Sequence, residues 1–291
     1  MLGGTFMERT GASRARTIAL TAIAMLAFAA NSILCRLALA RSGVDPASFT
    51  LVRIVSGAAM MAAICAVARG GWPKGGSWRG ALALFAYGAA FSFAYVTLPA
   101  GVGALLLFGA VQATMVISGI VGGERLTPGQ WLGLALALAG LAALVAPGVS
   151  APPLAGAILM LGAGVSWGAY SLIGRRSADP LGATAGNFLR AAPMALVLAL
   201  PLIRETPPLA GLIYAVLSGA VASGLGYTIW YAALPGLSAA EGASVQLSVP
   251  VITALAGAAL LAEPVTLRLG AASLAVLGGI ALVIASRSRR T

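Results

Sequence analysis

Histidine is absent from the 291 residues, and acidic residues number only 7. The first absence removes the commonest proton shuttle and the commonest metal ligand. Cysteine is nearly absent too. Cys35 and Cys65 have no CxxC spacing, so neither a zinc site nor a disulfide framework is supported, and both read as buried small hydrophobes. Charged residues make up 9% of the chain, against roughly 25% in a soluble domain. With no His, no pair of close acids and no metal motif, an enzyme acting on lipid would lack a catalytic constellation. A channel would need a continuous polar or charged pore ring, and none is visible. The sequence calls for no cofactor and no metal.

Apolar sequence fills the space that these absences leave. Hydrophobic residues make up 60% of the chain. One soluble core does not use that much apolar surface, so lipid is the expected solvent. A span needs about 20 apolar residues. Ten candidates occur: 17–40, 47–68, 78–98, 100–122, 130–146, 153–173, 181–203, 209–234, 238–262 and 265–286. Short connectors rich in Gly, Pro and charge separate them. Arg9, Arg14 and Arg16 before an apolar run ending at Ala27-Phe28-Ala29 resemble a signal peptide, but the run continues to Ala40 and the chain's internal repeat needs it.

The net charge of +11 sits between the apolar runs rather than in a patch among aromatics, so no nucleic-acid partner is expected. With the N-terminus inside, one side receives Arg9, Arg14, Arg16, Arg69, Lys74, Arg79, Arg125, Arg175, Arg176, Arg287, Arg289 and Arg290. The other receives Arg36, Arg41, Arg204 and Arg268. The positive-inside rule then puts both termini in the cytoplasm, which an even number of spans requires.

The two halves can be laid on each other. Leu98-Pro99 falls on Leu234-Pro235, Phe91 on Tyr227 and Tyr95 on Tyr231. After a three-residue shift, Glu124-Arg125-Leu126-Thr127 meets Glu263-Pro264-Val265-Thr266. Arg36 falls on Arg175, and Arg53 on Arg190. The expected division is a tail over 1–16, a repeat over 17–147, a connector over 148–152, a repeat over 153–286 and a basic tail over 287–291. Five spans per repeat is an odd number, so the halves insert in opposite directions. Inverted repeats are a transporter signature, with the solute site between the halves.

These residues resemble the drug/metabolite transporter superfamily, in its ten-helix branch of tandem EamA-type domains. The resemblance covers about residues 17–286. It rests on GERLTP at Gly123 to Pro128, AEPVTL at Ala262 to Leu267, LSAAEGASVQLSVPV at Leu237 to Val251, and one arginine in the second helix of each half, Arg53 and Arg190. It implies an all-α membrane protein of ten transmembrane helices, two inverted five-helix repeats around a central cavity, exporting metabolites across the bacterial inner membrane. Within the superfamily the chain looks most like the YddG-type exporters of aromatic and other neutral amino acids. A multidrug, sugar or nucleoside exporter of the same superfamily is the alternative. The expected partners are a small solute and membrane lipids, with no obligate protein partner.

Candidate solute-binding residues emerge from residue type and position. Tyr87, Phe91 and Tyr95 form one stripe at i, i+4 and i+8, matched by Tyr227, Trp230 and Tyr231, while Trp167 and Tyr170 share a face. They read either as an aromatic lining that stacks on a flat solute or as packing and headgroup belts. Asn31, Gln112, Asn187, Ser244 and Gln246 sit within spans, where an unpaired polar group must find another helix, water or solute. Arg53 and Arg190 read as structural anchors or as contacts to a solute carboxylate. Glu124 and Glu263 read as hairpin locks beside the N-cap candidates Thr127 and Thr266. Glu241 suits the start of its helix. No carboxylate lies at the centre of a span, which weakens proton antiport through a buried Glu. Pro99, Pro235 and Pro250, with nearby glycines, mark the third–fourth and eighth–ninth connections as the expected gates.

Overall fold

The structure, a computed structural model, describes residues 4–175, 177–201 and 207–288, of which 4–13, 69, 239, 240, 287 and 288 are described by backbone alone. Arg176, Arg204, Arg289 and Arg290 lie outside the described residues, as do the side chains of Arg9, Arg69 and Arg287.

Ten helical segments form among the described residues. They are α1 (Gly4–Arg36, continued by a π-helical turn, Leu37–Arg41), α2 (Pro46–Arg69), α3 (Trp78–Ala94), α4 (Ala100–Val121), α5 (Pro128–Val145), α6 (Leu154–Gly174), α7 (Pro180–Ala199), α8 (Leu209–Gly236), α9 (Ala239–Gln246 and Ser248–Leu261) and α10 (Leu267–Ser288). Nine are long and apolar enough to cross a bilayer. The other, α3, is 17 residues long and ends before Leu98, where sequence alone placed its limit. Leu98 precedes Pro99, and a residue before proline is pushed out of the helical region. Tyr95 to Thr97 therefore turn, and the freed Tyr95 carbonyl accepts from Arg36 Nη1 at 2.8 Å.

Helix starts are set by local chemistry. Asp45 and Asp179 cap α2 and α7, each with Pro at the first turn. Thr127 with Gln130, and Ser238 with Glu241, form reciprocal capping boxes at α5 and α9. Ser77 caps α3.

The packing is two-fold in character. Each of α2 and α5 lies on its own repeat-mate, α7 and α10. The contact of α3 with α6 is matched by α8 with α1, that of α3 with α7 by α8 with α2, and that of α4 with α6 by α9 with α1. Exchanging the halves thus maps these contacts onto one another. Glycine permits the closest crossings. On α5 and α10, a Cβ at Gly133 would lie 2.5 Å from the Gly279 carbonyl oxygen.

Candidate functional site

Where the halves meet, aromatic rings from both join in one cluster. Trp167 on α6 stacks on Tyr170 at 5.1 Å between centroids and on Tyr227 of α8 at 5.3 Å, with planes 23° and 21° apart. Tyr87 of α3 meets the same indole at 4.9 Å. Phe28 and Phe188 reach Tyr227 from α1 and α7, and Phe28 also meets Trp230 edge-on. Hydroxyls tie the rings down. Tyr170 donates to Thr184 Oγ1 at 3.1 Å, Thr184 bonds Tyr231 Oη at 2.8 Å, and Asn187 Nδ2 donates to Tyr170.

Beside this cluster lies a polar one. Arg53, buried on α2, donates from Nη2 to Tyr87 Oη at 3.0 Å. Its guanidinium lies 5.1 Å from the centre of the Tyr87 ring and 4.7 Å from that of Phe91. Asn31 Nδ2 donates to the same Tyr87 oxygen, while Ser218 Oγ donates to Asn31 Oδ1. The repeat-mate Arg190 behaves differently. It gives Nη1 to the carbonyls of Gly75 and Gly186, both at 2.9 Å, and so ties α7 to the segment before α3.

At the end of the bundle that carries Arg36, the helices are bound together. Glu263 accepts from Arg36 Nε at 2.9 Å and from the Ala100 N–H at 2.6 Å, joining α9, α1 and α4. Arg41 donates to the Leu261 carbonyl, and Arg268 to that of Ala146. Tyr95 is fully buried here and donates to the Ala100 carbonyl. It edges onto Phe91 but serves this closure rather than the cluster around Trp167. Glu263 does not cap α10; Thr266 does, accepting from Leu269 N–H. Pro99 stands as N-cap of α4, and its helix is buried from Gly103 through Val111.

The opposite end, where the chain starts, is looser. From Gln112 to Val121 no α4 residue is buried, and neither is any from Ala243 to Ser248 on α9. A cleft of about 470 Å³ opens between α1 and the first half of α9, lined by Ile18, Thr21, Met25, Val245, Ser248 and Ile252. The equivalent pair, α6 and α4, is shut. A Cβ at Gly164 would lie 2.6 Å from Ala110 Cβ, and one at Gly168 2.8 Å from Thr114 Cβ.

The candidates thus divide. Asn31, Tyr87, Phe91, Trp167, Tyr170, Tyr227, Trp230 and Tyr231 come together. Gln112, Ser244 and Gln246 fall on the loosened halves of α4 and α9, outside the cluster. Pro235 lies in a single 3₁₀ turn, and Pro250 is buried within α9. Glu124 ends α4 with its N–H on the Gly119 carbonyl. Exposed Glu241 is held in its capping box. Sequence reasoning missed Phe28, Thr184, Phe188 and Ser218, and weighed Arg36 only for topology. The alignment of Arg36 with Arg175 was the available signal for the last. Small hydroxyls such as Thr184 and Ser218 carry none.

The pattern of the EamA-like transporter family matches the chain twice, over residues 15–146 and 154–285. A protein of Pseudomonas aeruginosa, described as uncharacterized, is 58% identical over 277 residues, which cover 94% of this chain and 96% of its own. A protein crystal structure superposes with a TM-score of 0.64 at 23% identity, covering 91% of this chain and 98% of that one, so the likeness is one of fold.

Proposed function

The chain belongs to the EamA-like transporter family, and from that premise we propose that it exports neutral, preferably aromatic, amino acids by alternating access. Members of this family are multi-pass transporters of small molecules rather than enzymes. The finer reading rests on one observation, the stack of Tyr170, Trp167 and Tyr227 against Tyr87 at the meeting of the two halves. Flat rings near 5 Å apart are the environment in which another flat ring competes well, and the hydroxyls beside them offer polar partners.

Alternation is supported by an asymmetry. The α4–α6 and α9–α1 pairs are equivalent by the repeat, yet one is zipped on glycine and the other gapes. Swapping those roles generates the second conformation. With Lys and Arg assigned to the cytoplasm, the Glu263 closure faces the periplasm and the cleft faces the cytoplasm. The protein then sits in the inner membrane with both termini inside, in a state that receives solute from the cell.

The test is uptake of labelled Trp, Phe and Thr into proteoliposomes, with and without a pH gradient. Saturable uptake of Trp and Phe without the gradient is expected. A folded protein that moves none of the three under either condition overturns the amino-acid reading and redirects the search to drugs, sugars and nucleosides.

A further inference from the structure

Arg53 and Arg190 hold equivalent positions, but only Arg190 is accounted for by the fold. Its guanidinium spends itself on two backbone carbonyls. Arg53 is 3% exposed, and its Nη1 has no hydrogen-bond partner. Among the described residues no carboxylate lies within ion-pair reach of it. The side chains around it are those of Tyr87, Tyr227 and Cys35, none of them a carboxylate. It sits seven residues past Pro46, about 10 Å below the start of α2 at 1.5 Å per residue.

The neighbouring hydroxyl belongs to a short polar chain. Tyr87 Oη accepts from both Arg53 Nη2 and Asn31 Nδ2. Asn31 Oδ1 is taken by Ser218. A buried, fixed positive charge thus carries one unused donor, Arg53 Nη1–H, beside the Tyr87 hydroxyl. Buried donors without acceptors are rare and costly, and a charged one inside a bilayer marks function. The rings of Tyr87 and Phe91 soften the desolvation of the cation but supply no acceptor.

We infer that Arg53 and Tyr87 form an anion site that takes the carboxylate of the transported solute. A carboxylate is acceptor-only, planar and singly charged, which supplies the acceptor that Arg53 Nη1 lacks and the missing charge at once. The adjoining indole of Trp167, 4.9 Å from the Tyr87 ring, then meets the solute's side chain. In this arrangement the carboxylate fixes the solute end-on and the aromatic cluster grades its side chain. The ligand identity rests on the proposed amino-acid export; the charge deficit does not.

The test is binding to the purified full-length protein, read as a ligand-induced rise in melting temperature and by calorimetry. Four probes are used: tryptophan, tryptamine, threonine and threoninamide. The wild-type protein is expected to bind tryptophan at least about tenfold more tightly than tryptamine, the scale on which losing a charged hydrogen-bond partner registers. Arg53→Lys, which keeps the charge but loses the fork, is expected to weaken tryptophan by about tenfold and tryptamine hardly at all. The wild-type series decides the matter even if Arg53→Lys does not fold. Equal binding of tryptophan and tryptamine overturns the carboxylate site while leaving the aromatic reading standing. Threonine bound as well as tryptophan, with threoninamide rejected, upholds the carboxylate site and overturns the aromatic preference. Binding of none of the four overturns both.

Discussion

Glu263 accepts the backbone N–H of Ala100 at 2.6 Å, so the end of α9 caps the start of α4 across 163 residues of chain. The other carboxylate oxygen holds Arg36 from α1. Three helices of two repeats are thereby tied at one end of the bundle by a single side chain.

Removing that side chain should let this end open. Glu263→Ala leaves the Ala100 N–H without its acceptor and Arg36 with only the Tyr95 carbonyl. Charge-assisted hydrogen bonds of this kind contribute about 1.5–3 kcal/mol each. Ala104, fully buried behind the closure, reports it. With Cys35 and Cys65 replaced by Ala, Ala104→Cys should resist an impermeant maleimide and become reactive once Glu263→Ala is added. Equal labelling in two folded proteins would show that the closure does not depend on the carboxylate.

Arg190 should matter to stability rather than to solute. Its two carbonyl bonds join α7 to the Gly75 segment. Arg190→Ala is expected to cost about 2 kcal/mol, by analogy with other hydrogen bonds to charged groups, while leaving the affinity for any bound solute unchanged. Thermal melts and solute titrations on the same preparation separate the two effects. A large fall in affinity with no change in melting would assign Arg190 to the solute instead.

Gly123 and Ala262 hold the same place, one residue before Glu124 and Glu263, and both have left-handed backbone, with φ of 91° and 55°. A side chain there costs roughly 1–2 kcal/mol, offset by about 0.4–1 kcal/mol from a stiffer unfolded chain. Gly123→Ala, which meets no atom within 4 Å, should therefore destabilise by about 0.5–1 kcal/mol. Ala262→Gly should stabilise by a similar amount. Shifts of the same sign in the two melting curves would refute the equivalence.

Much of this arrangement was legible from the residues. The Leu-Pro and Glu-x-x-Thr echoes located both halves, and the spacing of Tyr87 and Phe91 placed two rings on one face. The same spacing put Tyr95 next to Phe91, where it lies, but carried no sign of the turn before Pro99 or of the bond from its hydroxyl to the Ala100 carbonyl. Arg36 was read only for topology and as the mate of Arg175, since its partner lies 227 residues away, a separation no local pattern encodes. The nine-residue π-helical stretch Leu217–Leu225 of α8, which packs against both α1 and α2, had no sequence signal either. It is set by tertiary packing. Arg53 and Arg190 were indistinguishable in sequence, and only the carbonyls around one of them tell the two apart.

Trp167 offers a direct readout of the site. Its indole lies between Tyr170 and Tyr227, so a flat solute that joins the cluster must displace it or stack on it. The other four tryptophans are Trp72, Trp78, Trp131 and Trp230. The first three are largely exposed, and Trp230 packs on Phe28. With these four replaced by Phe, emission comes from Trp167 alone. Phenylalanine, which barely absorbs at the indole excitation wavelength, should then shift or quench that emission saturably, whereas threonine should do so weakly. Arg53→Lys should move the phenylalanine midpoint to higher concentration without altering the unliganded spectrum. A spectrum that ignores phenylalanine while the protein still transports it would place the solute elsewhere, and the aromatic cluster would then serve only to hold the two halves together.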